Sequence, residues 1–244
     1  MQLPLLFEKL KWPEIEKMIQ EDGIRTIVIP FGPVEEHGPH MGLGVDYIRP
    51  QEVAIRAGKK LPFFIHPTLP VGVLNKSRSF PGSVSVEPET LTNLMTEIYN
   101  SCKLWGMKHI IFLSGHGGKR QTPYTDELVE KLNKKSSDAA IYCIVVSDLN
   151  REEQEKIFNR DNAIHAAEQE TSEMLYVRPD IVEMDNAVAE FPDVEKIQDH
   201  TTARDHWKSG VRGDATIATR EKGEKIVGLQ VKGLIEFIEN LDKI

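Results

Sequence analysis

One stretch constrains this chain more than any other. Between Ile29 and Asp46 an apolar run gives way, through Gly32 and Pro33, to Glu35, Glu36, His37, His40 and Asp46. The run over residues 26–31 reads as a buried strand, so these side chains arrive on an irregular loop just past a strand end. Carboxylate oxygen and imidazole nitrogen together suit divalent metal ions. Glu35 and His37 are two apart, and alternate residues at a frayed strand end share a face. They point to one ion or to two neighbouring ions equally well. Asp46 follows a glycine-rich turn and has two readings. It stands where a helix N-cap belongs, and its two oxygens suit it to bridge a pair of cations about 3.5–4 Å apart.

Two further clusters match the first. His116 lies in Gly115-His116-Gly117-Gly118, again just after an apolar run, over residues 109–113. Neither Gly-x-Gly-x-x-Gly nor a Walker lysine accompanies it, which sets a nucleotide loop aside. His165 and Glu168 are three apart at the head of a helix and share a face, while Glu170, five away, is expected to point elsewhere. An acidic helix start favoured by the dipole explains the carboxylates but not the histidine. His66, His109, His200 and His206 have no ligand-type neighbours at useful spacing. No Gly-x-Ser-x-Gly elbow, Cys/His pair or His-Glu-x-x-His motif is present, so a metal-activated water is the expected nucleophile. Cys102 and Cys143 read as buried, reduced thiols.

Strands expected over 24–31, 63–67, 109–113 and 139–146 alternate with helices over 13–20, 47–60, 87–105, 121–134, 152–158, 166–176 and 221–241. Ile27, Val28 and Ile29 in succession imply burial on both faces, as in a parallel sheet. The fold class is α/β, mainly parallel, with helices on both faces, as one domain over 1–244. In such sheets ligands bind outside the carboxyl ends of the strands, where the loops after the first and third strands lie. Residues 69–86, with Pro70, Gly72, Pro81 and Gly82, form a long shaped loop. A net charge of −8 without a basic stripe argues against nucleic acid. With no apolar run near the ~20 residues that span a bilayer and no signal peptide, a cytoplasmic protein off the membrane is expected.

The three clusters together resemble the creatinine amidohydrolase (creatininase) family. Its Gly-Ser-x-Glu-Gln-His-Gly-x-His-Leu-Pro followed by Thr-Asp is similar to the stretch from Gly32 to Gly42 followed by Val45-Asp46. Its Asn-Gly-His-Gly-Gly-Asn resembles Ser114 to Lys119, and its His-Ala-Gly-Glu-x-Glu-Thr-Ser resembles His165 to Ser172. A C-terminal Gly-Val-x-Gly-Asp-Pro with Ala-Thr-x-Glu-Lys-Gly is similar to Gly210 to Ala215 and Ala218 to Gly223. The resemblance implies a three-layer α/β/α sandwich, a homo-oligomer (often a hexamer) and two divalent ions per chain, zinc, manganese or iron. By resemblance, Glu35 and His116 bind one ion, His37 the other, and Asp46 bridges both. Creatininase has a Glu where this chain has Gly118, and Glu168 is taken as its substitute, with a catalytic role as well. His165 aligns with the family's proton-handling histidine.

Departures bear on the substrate. Lys76 and Ser77 replace a Glu-His pair in the loop ending Phe80-Pro81-Gly82, and with Glu36, His40 and Gly117 they are expected on the substrate side. Creatinine itself is not expected. The reading is a hydrolase whose metal-bound hydroxide attacks the carbonyl of a small cyclic or amide-like substrate, cleaving C–N. One alternative is a C–C hydrolase opening a cyclic diketone such as a diketo-inositol, which the polar Asn75-Lys76-Ser77 loop suits. The other is a non-enzymatic oligomeric binding protein.

Overall fold

In the computed structural model, residues 3–159, 163–193, 195–197 and 199–241 are described. Five parallel strands form the central sheet: β1 (Leu5–Leu6), β2 (Thr26–Phe31), β3 (Phe64–Ile65), β4 (His109–Ser114) and β5 (Ala140–Val145), in the order β1-β3-β2-β4-β5. Side-chain alternation sorts β2 onto two cores. Ile27, Ile29 and Phe31 face the helices α1 (Trp12–Gln20), α3 (Pro88–Leu104) and α4 (Thr122–Lys135) through Ile19, Leu91, Met95 and Leu128. Val28 faces the other side with Ile111 and Leu113, against Val53 and Ala57 of α2 (Val45–Gly58) and Val227, Val231 and Leu234 of α8 (Arg220–Leu241). The result is the expected α/β/α sandwich, with apolar residues on both faces of a parallel sheet.

The remaining elements lie outside the central sheet. They are α5 (Arg151–Gln154), β6 (Ala163–His165), α6 (Glu168–Val177), β7 (Ala189–Glu190), α7 (Ala203–His206) and β8 (Arg212–Asp214). The strands β6, β8 and β7 pair antiparallel in a small second sheet. Several sequence expectations shift. The strand expected over 63–67 shrinks to two residues, the helix over 152–158 to four, and β1 was not anticipated. Asp46 is not an N-cap: Gly44 occupies that position without a side-chain bond, and Asp46 lies inside the first turn. Cys102 and Cys143 are free thiols, each pushed up to about 12 by burial. No helix among the described residues is long and apolar enough to cross a membrane.

Candidate metal centre

The sheet register brings the two ligand-rich loops together. Phe31 pairs with Ser114, so β2 and β4 end level, and the Gly115 N–H donates to the Phe31 carbonyl at 3.0 Å. The start of α2 lies directly over this edge. A Cβ on Gly115 would stand 1.8 Å from the Asp46 carbonyl oxygen, and one on Gly32 would stand 2.2 Å from it. Only glycine lets the Asp46 backbone approach this closely. Gly115→Ala is therefore expected to lower stability by at least about 1–3 kcal/mol, the usual range for overpacking. Gly228→Ala, on an open face of α8 with nothing within 4 Å of the new Cβ, is expected to add about 0.5–1 kcal/mol by helix propensity. Thermal melts of the two variants check this opposite pair of signs.

Asp46 then serves two groups of side chains. Its Oδ2 lies 3.4 Å from His116 Nδ1, which is 3.0 Å from Glu35 Oε2. Its Oδ1 lies 3.6 Å from His37 Nε2, which is 3.5 Å from Glu170 Oε2. Glu35, Asp46 and His116 thus form one cluster able to hold a metal ion, and His37, Asp46 and Glu170 form a second. A third grouping, Glu35, His37 and His165, overlaps both. Glu35 Oε2, Asp46 Oδ2 and His37 Nε2 are buried with no hydrogen-bond partner. Leaving such atoms unpaired is costly, unless a cation collects them. Ligands about 2.0–2.1 Å from a tetrahedral ion stand about 3.3–3.4 Å from each other, close to the separations seen here. The donor set fits divalent metal binding.

Surrounding groups fix these ligands. His37 Nδ1 donates to the Glu35 carbonyl at 3.2 Å, which leaves Nε2 facing the acids. Ser77 donates its hydroxyl to Glu35 Oε1. Arg49 donates to Glu170 Oε1 at 2.8 Å, and the Ala166 N–H donates to Oε2 at 2.7 Å. The same guanidinium donates to both oxygens of Glu173, at 2.7 and 3.0 Å, and to the Gly115 carbonyl at 3.3 Å. Gln169 and Gln230 each donate to Glu173 Oε1 as well, at 2.9 and 3.1 Å. This buried network ties α2, α6 and α8 to the His116 loop.

Charge compensation in the cage is strong. Burial raises the carboxyl of Glu35, but the charges of His116 and His165 hold it well below the usual range. Burial opposes charge on His116 and His37, yet Glu35 raises the first and Asp46 and Glu170 raise the second. Glu170 is held at about 2 against burial by His37 and Arg49. His165 stands at about 10 despite its burial, through Glu35 and Glu36.

The structure gathers Glu35, His37, Asp46 and His116, while Glu168 goes elsewhere. Its Oε1 accepts from Lys222 Nζ at 2.6 Å, and it takes no part in either cluster. Glu170 stands in the place expected for it. The physical reason is local. His165 ends a strand, Ala166 turns the chain with φ 50°, and α6 begins only at Glu168, so helical spacing counted from His165 does not apply. Other expected roles shift too. His165 Nε2 donates to the Glu36 carbonyl and to Glu36 Oε1, both at 3.1 Å, so Glu36 orients His165 instead of lining the substrate space. His40 bonds Thr171 Oγ1 at 2.8 Å and is pushed down to about 4 by burial and His37; it too stands off the cavity. Ser77 lines the cavity, but its proton is committed to Glu35. Lys76 and Gly117 line the cavity directly. Sequence reasoning missed Arg49 and Glu173; their signal was the three-residue helical spacing of Arg49 from Asp46 and of Glu173 from Glu170.

A cavity of about 700 Å³ opens over these ligands, with His165, Trp207 and Arg212 in its wall. The family profile for creatinine amidohydrolase matches residues 8–238. The creatinine amidohydrolase of Pseudomonas putida is 27% identical over 94% of both chains. A mycofactocin precursor peptide peptidase of Mycolicibacterium smegmatis is 27% identical over 88% of this chain and 85% of its own. The 3-dehydro-scyllo-inosose hydrolase of Thermotoga maritima is 23% identical over 96% and 81%. A manganese creatininase structure superposes with a TM-score of 0.82 at 24% identity, covering 97% of this chain and 98% of that one. The profile spans nearly the whole chain, and these relatives carry hydrolase names: the chain belongs to the creatininase family of metal-dependent hydrolases.

Proposed function

We propose that this chain is a dinuclear hydrolase that cleaves the C–N bond of a small cyclic or amide-like substrate other than creatinine. The observation that carries this reading is the divided carboxylate of Asp46, one oxygen toward Glu35 and His116 and the other toward His37 and Glu170. Glu35, His116 and Asp46 would hold one divalent ion, and His37, Glu170 and Asp46 the other. Zinc, manganese or iron bound there would acidify a water and polarise the substrate carbonyl. A structurally similar creatininase in a manganese form supports manganese as a candidate ion.

The chain's own residues do the remaining work. Ser77 holds Glu35, and Arg49 holds Glu170, so neither carboxylate has to be ordered during the reaction. His165 is the proton carrier. Its Nε2 is engaged by Glu36, and its ring packs against His37 and Trp207 at centroid distances of 4.6 and 5.4 Å, which fixes its plane at the cavity wall. As water adds to the carbonyl and the C–N bond breaks, His165 delivers a proton to the leaving nitrogen. His165→Asn is expected to lower kcat by about 10²–10⁴-fold while metal content stays at the wild-type value. Wild-type turnover by this variant would remove His165 from the mechanism.

A second reading is C–C cleavage of a cyclic diketone, favoured by the similarity to the inosose hydrolase and by Asn75 and Lys76 in the cavity wall. The same metal sites would serve it. Assay of metal-loaded protein against cyclic amides and cyclic diketones separates the two: turnover confined to diketones would replace the first reading. Turnover of neither, with both ions bound, would favour a binding protein. Assembly into a homo-oligomer is part of the proposal, and light scattering after gel filtration tests it.

A further inference from the structure

The cavity wall is rich in cations, and its arginines other than Arg212 are already committed. Arg49 is held by Glu170 and Glu173, and Arg120 by Glu87. Arg151 is held by Asp148 and Glu155. Arg212 is different. It lines the same cavity and is half-buried, yet no acid, carbonyl or aromatic ring holds its guanidinium among the described residues. A guanidinium cannot shed its charge, so partial burial without a partner is costly unless a ligand supplies one.

Its position is equally specific. Arg212 on β8 pairs with His165 on β6. The ladder is irregular between Ala163 and His165, and the shared side is given by both His165 and Arg212 lining the cavity. Arg212 therefore stands beside the proposed proton carrier, on the cavity side. Trp207 closes the wall behind His165, its indole N–H donating to the Val211 carbonyl at 2.8 Å, next to Arg212 in sequence. A planar fork of N–H donors at this place matches a carboxylate bidentately.

We propose that the substrate bears a carboxylate, joined by a short carbon chain to the scissile amide, and that Arg212 grips it. The assignment rests on the hydrolase reading above and names its substrate class. Arg212 sets specificity: it holds the anionic end while the amide lies over the ligand cluster.

Calorimetry on metal-reconstituted protein tests this with two probes, 5-carboxymethylhydantoin and its neutral methyl ester. Wild type is expected to bind the acid about 10–100-fold more tightly, the range for a hydrogen bond to a charged group. Arg212→Gln is expected to erase that preference, leave ester binding and ion content unchanged, and so show that the cation alone was removed. Arg212→Lys, which keeps the charge without the fork, is expected to retain part of the preference. Equal binding of acid and ester by wild type, or a preference that survives in Arg212→Gln, overturns the proposal. In either case two ions per chain, measured on the same samples, would leave the hydrolase reading standing. Protein that takes up no ions would bring down the hydrolase reading, and this proposal with it.

Discussion

Asp46→Asn is expected to empty both metal sites in one step. Each oxygen of Asp46 faces a different histidine, 3.4 Å to His116 and 3.6 Å to His37. An amide offers one oxygen and one N–H₂ donor, so it serves one cluster and repels a cation in the other. The expected outcome is well under one ion per chain after gel filtration and a fall in turnover of at least about 10³-fold, corresponding to about 4 kcal/mol of lost transition-state stabilisation. Elemental analysis and an amide-hydrolysis assay on the same preparation check it. The fold is expected to persist, because the α2 start is fixed by the backbone approach of Asp46 to Gly32 and Gly115, not by its carboxylate. A variant retaining both ions would show that Asp46 does not bridge.

A second large effect separates two carboxylates only two residues apart. Glu170→Gln is expected to lose one of two ions and about 10²–10³-fold in turnover, as expected when one partner of a two-metal clamp is removed. It also leaves Arg49 with a neutral partner in place of Glu170. Glu168→Gln is expected to keep both ions. Its carboxylate is buried against Lys222, so its loss reads out as a lower melting temperature, about 1–3 kcal/mol for a buried group left without its charged partner. Metal retained in Glu170→Gln and lost in Glu168→Gln would reverse the assignment.

These two residues also show where sequence reasoning stopped. The layers were legible because three consecutive apolar residues, Ile27, Val28 and Ile29, have to be buried on both faces, and the helices carried clear stripes such as Leu91, Met95 and Cys102. The two loops were placed at the carboxyl ends of strands by the parallel-sheet rule, and the Phe31–Ser114 register shows that those strands are neighbours. What was not legible depends on tertiary context. The single left-handed residue Ala166 resets the helical phase between His165 and Glu170. Asp46 reads as an N-cap from its neighbours, but the chain starts the helix two residues earlier than that, at Val45 with Gly44 as the cap. The clamp of Arg49 on Glu170 and Glu173 joins α2 to α6 over more than a hundred residues of chain, and no local pattern announces it. Ser77 reads as a substrate contact until its hydroxyl is seen to be committed to Glu35. The two-residue β1 is too short to carry a periodic signal and owes its existence to pairing with β3.

Anomalous diffraction from a crystal of the manganese-reconstituted protein tests the central claim most directly. The account predicts two peaks per chain, about 3.5–4 Å apart, one beside Glu35 and His116, the other beside His37 and Glu170, with Asp46 between them. A single peak, or a second one coordinated by Glu168 in place of Glu170, would contradict it.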